Sequence, residues 1–183
     1  MTTESAQTRN TRIEALLQIL SEGNAAAMGQ LYDLIRTDVF AYALSKTGNR
    51  HDAEDVTQDT FVRVYKYAKQ YRPQGKPMAW IITIERNLIS RRFQLNQRTV
   101  SFDDRLNDAP DTGDFEQRVI NNEFLRRLLS NLDETEREII VLHIVSGLKH
   151  REIAKLLNKP LSTVLSKYSR AIKKLRAIVK EKK

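Results

Sequence analysis

The sequence has 183 residues, enough for one domain of ordinary size or two small ones, and its hydrophobic share of 40% excludes a generically disordered chain. A formal charge of +8 and a pI near 9.8 require strongly positive surface, which attracts polyanions such as nucleic acid or anionic membrane. Cysteine is absent, which excludes disulfides, thiolate catalysis and cysteine-based zinc sites.

The opening stretch MTTESAQTRNTRIEALLQIL lacks a basic start followed by an apolar run, so no secretory signal is expected. The longest apolar runs, near residues 78–84 and 139–145, are too short to span a bilayer. A soluble cytoplasmic protein is the expectation.

In chain order, Ile13, Leu16, Leu17 and Leu20 mark a short first helix, and Met28, Leu31, Ile35, Val39, Tyr42 and Ala43 a second. The Gly-Asn-Arg turn at residues 48–50 ends the second helix, with Asp52 placed to cap a third. On that third helix Val56, Thr60, Phe61, Val64, Tyr65 and Ala68 share one face, and its acids fall largely elsewhere. A turn-rich segment, residues 72–77, precedes a fourth helix that begins with the apolar run MAWIITI and becomes basic at Arg86, Arg91 and Arg92. Four helices make a first domain, residues 1–98.

Between residues 99 and 117 the helical period is lost, and six acids (Asp103, Asp104, Asp108, Asp111, Asp114, Glu116) face one base, Arg105. This stretch reads as a flexible acidic linker. A second helical domain is expected over residues 118–183. Val119, Phe124, Leu125, Leu128 and Leu129 open it, Asp133 and Glu136 form a capping box, and Gly147 and the turn at residues 158–160 divide the rest. The fold class is therefore all-α, two small helical domains on an acidic linker.

Residues 149–176 have the layout of a helix-turn-helix, with Ile153, Ala154 and Leu157 packing inward and Val164 anchoring the next helix. That helix presents Ser162, Thr163, Leu165, Ser166, Lys167 and Ser169 early, where a recognition helix meets base edges, and Arg170, Lys173, Lys174 and Arg176 later, where phosphates lie. From residue 147 to the end there are twelve Lys or Arg against two acids, Glu152 and Glu181. The positive charge is concentrated here.

Catalysis finds little support. His51, Glu54, Asp55 and Asp59 have a spacing that could face a metal, but one helix supplies all four and no Glu-x-x-His pair recurs on another. No P-loop, GxGxxG or GxSxG string occurs, and His143 and His150 read as structural or solvated. No catalytic residue, metal or cofactor is assigned.

From about residue 27 to residue 176 the order of segments resembles the extracytoplasmic-function sigma factors of bacterial RNA polymerase. The segment DAEDVTQDTFVRVYK resembles the region-two helix that docks on the coiled-coil clamp of the polymerase largest subunit, which implies polymerase contact by Asp55 and Gln58, with Glu54, Asp59 and Arg63 nearby. The segment WIITIERNLISRRFQ resembles the helix that reads the −10 promoter element, implying DNA contact by Arg86, Asn87, Arg91 and Arg92. The family's base-capturing loop falls on residues 71–77, which implicates Tyr71, Gln74 and Lys76. Trp80 opens an apolar run and reads as core.

The C-terminal segment resembles the region-four helix-turn-helix that reads the −35 duplex, implying contact by Ser162, Thr163, Leu165, Ser166, Lys167, Arg170, Lys173 and Lys174. Two departures stand out: Leu165, Ser166 and Lys167 where the family has a basic residue and then Ser-Arg, and Arg91 where it is often acidic. The resemblance implies core RNA polymerase and promoter DNA as partners, an anti-sigma protein as regulator, and no insertion into membrane. The alternative reading is a stand-alone helix-turn-helix transcriptional regulator.

Overall fold

In a computed structural model that describes residues 3–95 and 129–180, the regular elements are helices, and no strand occurs among the described residues. The chain divides into two units, Met1–Leu106 and Asn107–Lys183. The boundaries expected at residues 98 and 117, and the acidic connector between them, lie outside the described residues.

The first unit opens with α1 (Thr3–Ser21), which is a full 19 residues long, not the short helix its four-residue apolar signature suggested. Ile13, Leu16, Leu17 and Leu20 are buried as expected; Gln7, Thr8, Thr11 and Arg12 before them are exposed, so that stretch carries no apolar period. Next comes α2 (Ala27–Thr47), which packs against α1, against α3 (Arg50–Tyr67) and against α4 (Pro77–Leu95). Its Leu31, Ile35, Val39, Tyr42 and Ala43 are buried. Gly48 ends α2 in the left-handed region, φ 75°, and its N–H donates to the Leu44 carbonyl, a conformation that a side-chain-bearing residue resists.

The cap of α3 is Asn49, not Asp52. Asn49 is extended, its Oδ1 accepts from the Asp52 N–H at 2.8 Å, and its Nδ2 donates to Asp52 Oδ2 at 2.6 Å. Asp52 therefore lies inside the first turn, where a carboxylate complements the positive end of the helix. Ala53, Val56, Thr57, Thr60, Phe61 and Val64 form the buried face, the two threonine hydroxyls each donating to the carbonyl four residues back. Tyr65, expected on that face, is 48% exposed. The helix tightens into a 3-10 turn at Ala68–Gln70, and α4 starts on Pro77, whose fixed φ and missing N–H suit a first position.

Among the residues that α4 buries, Met78, Ile81 and Ile82 belong to the apolar run read from the sequence, and Leu88 and Ile89 join them. Glu85 was not legible as core. It is 0% exposed, and neither carboxyl oxygen is placed for a hydrogen bond. Burial pushes its carboxyl well above the usual carboxylate range, outweighing the Ala43 backbone, and the nearby Asp38 carboxylate adds to the shift. Asp38 is itself raised by burial, against the pull of Arg9, which also donates to the Leu34 carbonyl at 3.0 Å.

In the second unit a helix ends at residues 129–130. The buried Arg137 donates from Nε to the Leu129 carbonyl at 3.1 Å and from Nη2 to the Leu132 carbonyl at 3.2 Å, satisfying acceptors that a helix end leaves open. Helix α5 (Glu134–Ile140) begins at the expected capping box: Asp133 Oδ1 accepts from the Glu136 N–H at 2.8 Å, and Glu136 Oε2 accepts from the Asp133 N–H at 3.1 Å. It widens into a π turn at Val141–Val145 and ends at Gly147, φ 69°. Then come α6 (His150–Leu156) and α7 (Leu161–Lys180). Leu132, Ile139, Ile140, Leu142, Leu148, Ile153, Val164 and Ala171 fill the core.

A folded-state carboxyl raised above its unfolded value makes the native state hold more protons, so its contribution to stability declines as pH rises above about 4.5. Glu85→Gln removes the titration while keeping the shape. In urea unfolding of the full chain followed by the fluorescence of Trp80, the sole tryptophan, the Gln variant is expected to lose less stability than the wild type between pH 5 and pH 8. Parallel profiles would show that Glu85 is ionised in the native state.

Candidate functional site

Helices α6 and α7 are joined by the turn expected from residues 158–160. Asn158 takes the left-handed conformation, φ 51°, which asparagine tolerates better than most residues, and Pro160 precedes the first turn of α7. Val164 and Ala171 of α7 are buried. Along the opposite side Ser162, Leu165, Ser166, Ser169, Arg170 and Lys173 are exposed, at spacings of three and four that make one continuous stripe.

Two of the lysines assigned to DNA lie off that stripe. Lys167 Nζ donates to Asp133 Oδ2 at 2.5 Å, and Lys174 Nζ to Glu136 Oε2 at 2.6 Å. Both acids belong to the capping box of α5, so these cations tie α7 to the start of α5. Burial alone would raise the Asp133 carboxyl, but Lys167, the Glu136 backbone and Lys174 together hold it below the usual range. Thr163 is half-buried.

The two histidines join the same junction. The His143 and His150 rings stack at 4.2 Å, and Tyr168 of α7 meets both edge-on, at 5.0 and 4.6 Å. His143 Nδ1 donates to the Leu148 carbonyl at 2.8 Å. Burial lowers the pKa of His150, and His143 lowers it further. Both histidines are therefore structural, packing the π turn and α6 against α7.

In the first unit α4 exposes Thr83, Asn87, Ser90, Arg91 and Gln94 along one side, with Arg86 and Arg92 half-buried at its margins. The loop that leads into α4 exposes Gln74 and Lys76. Tyr71, assigned with them, is 8% exposed: its ring meets Trp80 at 5.1 Å and its hydroxyl donates to Glu14 Oε1 at 2.6 Å. Burial raises its pKa, and the Glu14 carboxylate raises it further. Tyr71 thus faces inward as a support of the loop, and the half-buried Trp80 is its packing partner.

On α3, Asp55, Gln58, Asp59 and Arg63 follow one side, Gln58 and Asp59 exposed and the others half-buried. Glu54 accepts from Arg50 Nε at 2.5 Å. Asp55 Oδ2 accepts from Arg92 Nη2 at 2.7 Å, with Asp52 at 3.8 Å, so a residue assigned to polymerase and one assigned to −10 DNA neutralise each other between α3 and α4. The Asp55 hydrogen bond is the main cause of the raised Arg92 pKa. Of the acids considered for a metal, Glu54 and Asp55 are thereby engaged by arginines. Sequence reasoning missed Val62, 66% exposed, and misplaced Tyr65; both stand on the side of Gln58 and Asp59 and add apolar surface to it. The spacing of three and four residues that joins Asp55, Gln58, Asp59, Val62 and Tyr65 was the available signal.

The chain matches the family model described as Sigma-70 region 2 over residues 31–99 and the one described as Sigma-70, region 4 over residues 124–175. Curated relatives include the ECF RNA polymerase sigma factor BldN of Streptomyces coelicolor, 28% identical, with 93% of this chain and 67% of that protein covered. SigE of Mycolicibacterium smegmatis is 32% identical over 84% of this chain and 63% of its own length, so the chain spans about two thirds of these two relatives. SigM of Bacillus subtilis is 26% identical, with 81% and 93% covered. Among solved structures, CnrH in complex with the cytosolic domain of CnrY aligns with a TM-score of 0.64 at 24% identity, covering 94% of this chain and 99% of that one. RpoE of Bartonella quintana, in complex with the anti-sigma factor NepR, aligns at 0.60 and 23% identity over 83% and 96%. These two share the fold.

Lys174 is half-exposed, but its partner Glu136 is buried, so its loss leaves a carboxylate without its cation; Lys173, one residue away, lies on the exposed stripe. Lys174→Met is expected to destabilise the second unit by about 1–2 kcal/mol and Lys173→Met by less than about 0.5 kcal/mol. Denaturant unfolding of the two variants, followed by circular dichroism, checks the contrast.

Proposed function

The chain belongs to the extracytoplasmic-function sigma factors, and from that membership we propose that it binds core RNA polymerase in the cytoplasm and directs promoter-specific initiation of transcription. The observation that carries the reading is the tandem of region 2 and region 4 matches, each falling on a helical unit with an exposed polar helix face. Region 4 reads the −35 element as duplex. The stripe of Ser162, Leu165, Ser166 and Ser169 meets base edges in the major groove, and Arg170 and Lys173 take phosphates. Lys167 and Lys174 act by holding α7 in place against α5, and reach phosphate only at the expense of their ties to Asp133 and Glu136.

Region 2 takes the −10 element as separated strand. An unstacked base is read by its edges and faces, for which the exposed Gln74 and Lys76 of the loop are suited, and Asn87 and Arg91 of α4 track the adjoining strand. Trapping the open strand drives melting without ATP, so the chain needs no catalytic residue, metal or cofactor; bond formation belongs to the core enzyme. The side of α3 carrying Gln58, Asp59, Val62 and Tyr65 docks on the largest-subunit clamp, with acidic groups for steering and apolar surface for affinity. An anti-sigma protein silences it, a reading supported by the NepR complex of the RpoE structure. The acidic connector serves as the tether between the two readers.

Run-off transcription with purified core polymerase on a promoter library is expected to give initiation that depends on this chain; none from any template would overturn the proposal. A stand-alone regulator would instead bind specific duplex DNA without core. Asp59→Arg, which avoids the Arg92 pair, is expected to weaken core binding by about tenfold through charge reversal at the interface rim, while duplex binding by the free chain is unchanged.

A further inference from the structure

Helix α1 lies outside the residues matched by the region 2 family model, which begin at residue 31, yet one of its side chains closes the loop before α4. Glu14 Oε1 accepts three hydrogen bonds: from the Tyr71 hydroxyl at 2.6 Å, the Gln74 N–H at 3.1 Å and the Gly75 N–H at 2.8 Å. All three donors lie about sixty residues along the chain. Gly75 has φ 70°, a left-handed conformation that glycine takes without a Cβ penalty. Tyr71 is held from its other side by Trp80 at 5.1 Å. Loops are normally the most mobile parts of a domain, and this one has its backbone donors drawn onto a charged acceptor presented by a helix.

We infer that Glu14 is the positioning residue of the −10 reader: it sets the backbone of residues 71–76 in the conformation that captures the unstacked base, an inference that rests on the assignment of base capture to this loop. Glu14 does not touch DNA. With both backbone donors turned toward Glu14, Gln74 and Lys76 remain exposed and their Cα positions are fixed, so the entropy of ordering the loop is met on folding and not on binding. Without the carboxylate the loop samples other conformations, and apparent strand affinity falls in proportion to the fraction that remains competent.

The test uses the holoenzyme, full chain plus core polymerase, and a single-stranded oligonucleotide carrying the non-template −10 sequence of a promoter recovered by run-off transcription, with 2-aminopurine at the candidate captured base. Glu14→Ala is expected to weaken strand binding about tenfold and to abolish most of the fluorescence change of the captured base, while core affinity and −35 duplex binding stay at the wild-type level. Glu14→Gln, which keeps the shape and an acceptor but not the charge, recovers part of the loss; a neutral acceptor makes bonds of about half the strength. Tyr71→Phe, which removes one donor and keeps the ring on Trp80, gives a smaller loss in the same readout and serves if the alanine variant unfolds.

Strand binding by Glu14→Ala at the wild-type level would overturn the inference, as would a loss shared equally by core binding, duplex binding and strand binding, since that marks a purely structural role. Gln74→Ala and Lys76→Ala separate the two layers of argument. If they weaken strand binding and Glu14→Ala does not, positioning by Glu14 falls alone. If they leave it unchanged, the loop is not the capture site and the inference falls with that assignment.

Discussion

In the first unit, the surfaces assigned to function are placed by the packing of α2 and α4 against each other and against α1 and α3. Leu31, Ile35, Val39, Tyr42 and Ala43 are buried on α2, which packs against α1, α3 and α4, and each of Leu31, Ile35 and Val39 contributes about 1.5–3 kcal/mol of apolar transfer. With α2 filled in, the rotation of each outer helix about its axis is set. The rotation of α3 turns Gln58, Asp59 and Val62 outward, that of α4 turns Asn87 and Arg91 outward, and that of α1 carries Glu14 over the loop. The second unit depends on a comparable constraint, in which Ile153 of α6 and Val164 and Ala171 of α7 are drawn into one core and the remaining side of α7 is left to solvent.

Charge follows from this placement more than from composition. The chain has eight more positive than negative side chains, yet several cations nominated for DNA are paired within the protein. Arg92 joins α4 to Asp55 on α3, and Lys167 and Lys174 join α7 to the first turn of α5. Each pair is partly exposed, so its stabilising effect is modest and screened by salt, but it orients a side chain and withdraws it from the pool of free cations. The exposed residues early in α7 are Ser162, Leu165, Ser166 and Ser169, followed by Arg170 and Lys173, a surface suited to hydrogen-bonded reading of a groove with phosphate contacts at one end.

Much of the fold was legible because helices announce themselves over four residues. The periods of α2 and α3, the Gly48 and Gly147 ends, the Asp133 to Glu136 capping box and the turn at residues 158–160 all depend on contacts within a turn of helix. Misreadings occurred where two local solutions compete. Asn49 and Asp52 are both good caps, and the backbone chose the one that could be extended. Tyr65 satisfies the helical period of the inner face but has a polar end and a neighbour, Val64, already buried there. Tyr71 was assigned to base capture by its place in the loop, and it carries a hydroxyl whose partner lies 57 residues away.

By itself, then, the sequence determined the all-α class, the order of the helices, the helix-turn-helix and the concentration of basic residues toward the C-terminus, all of which are properties of neighbours along the chain. Only the tertiary structure decided which side chains meet between helices: Glu14 with the loop at residues 71–75, Asp55 with Arg92, and Lys167 and Lys174 with the α5 cap; it also decided the complete burial of Glu85. The reason is geometric. One residue turns a helix by about 100°, so the partner of a side chain on a neighbouring helix depends on how both helices are rotated and offset, and that is settled by the packing of the whole core.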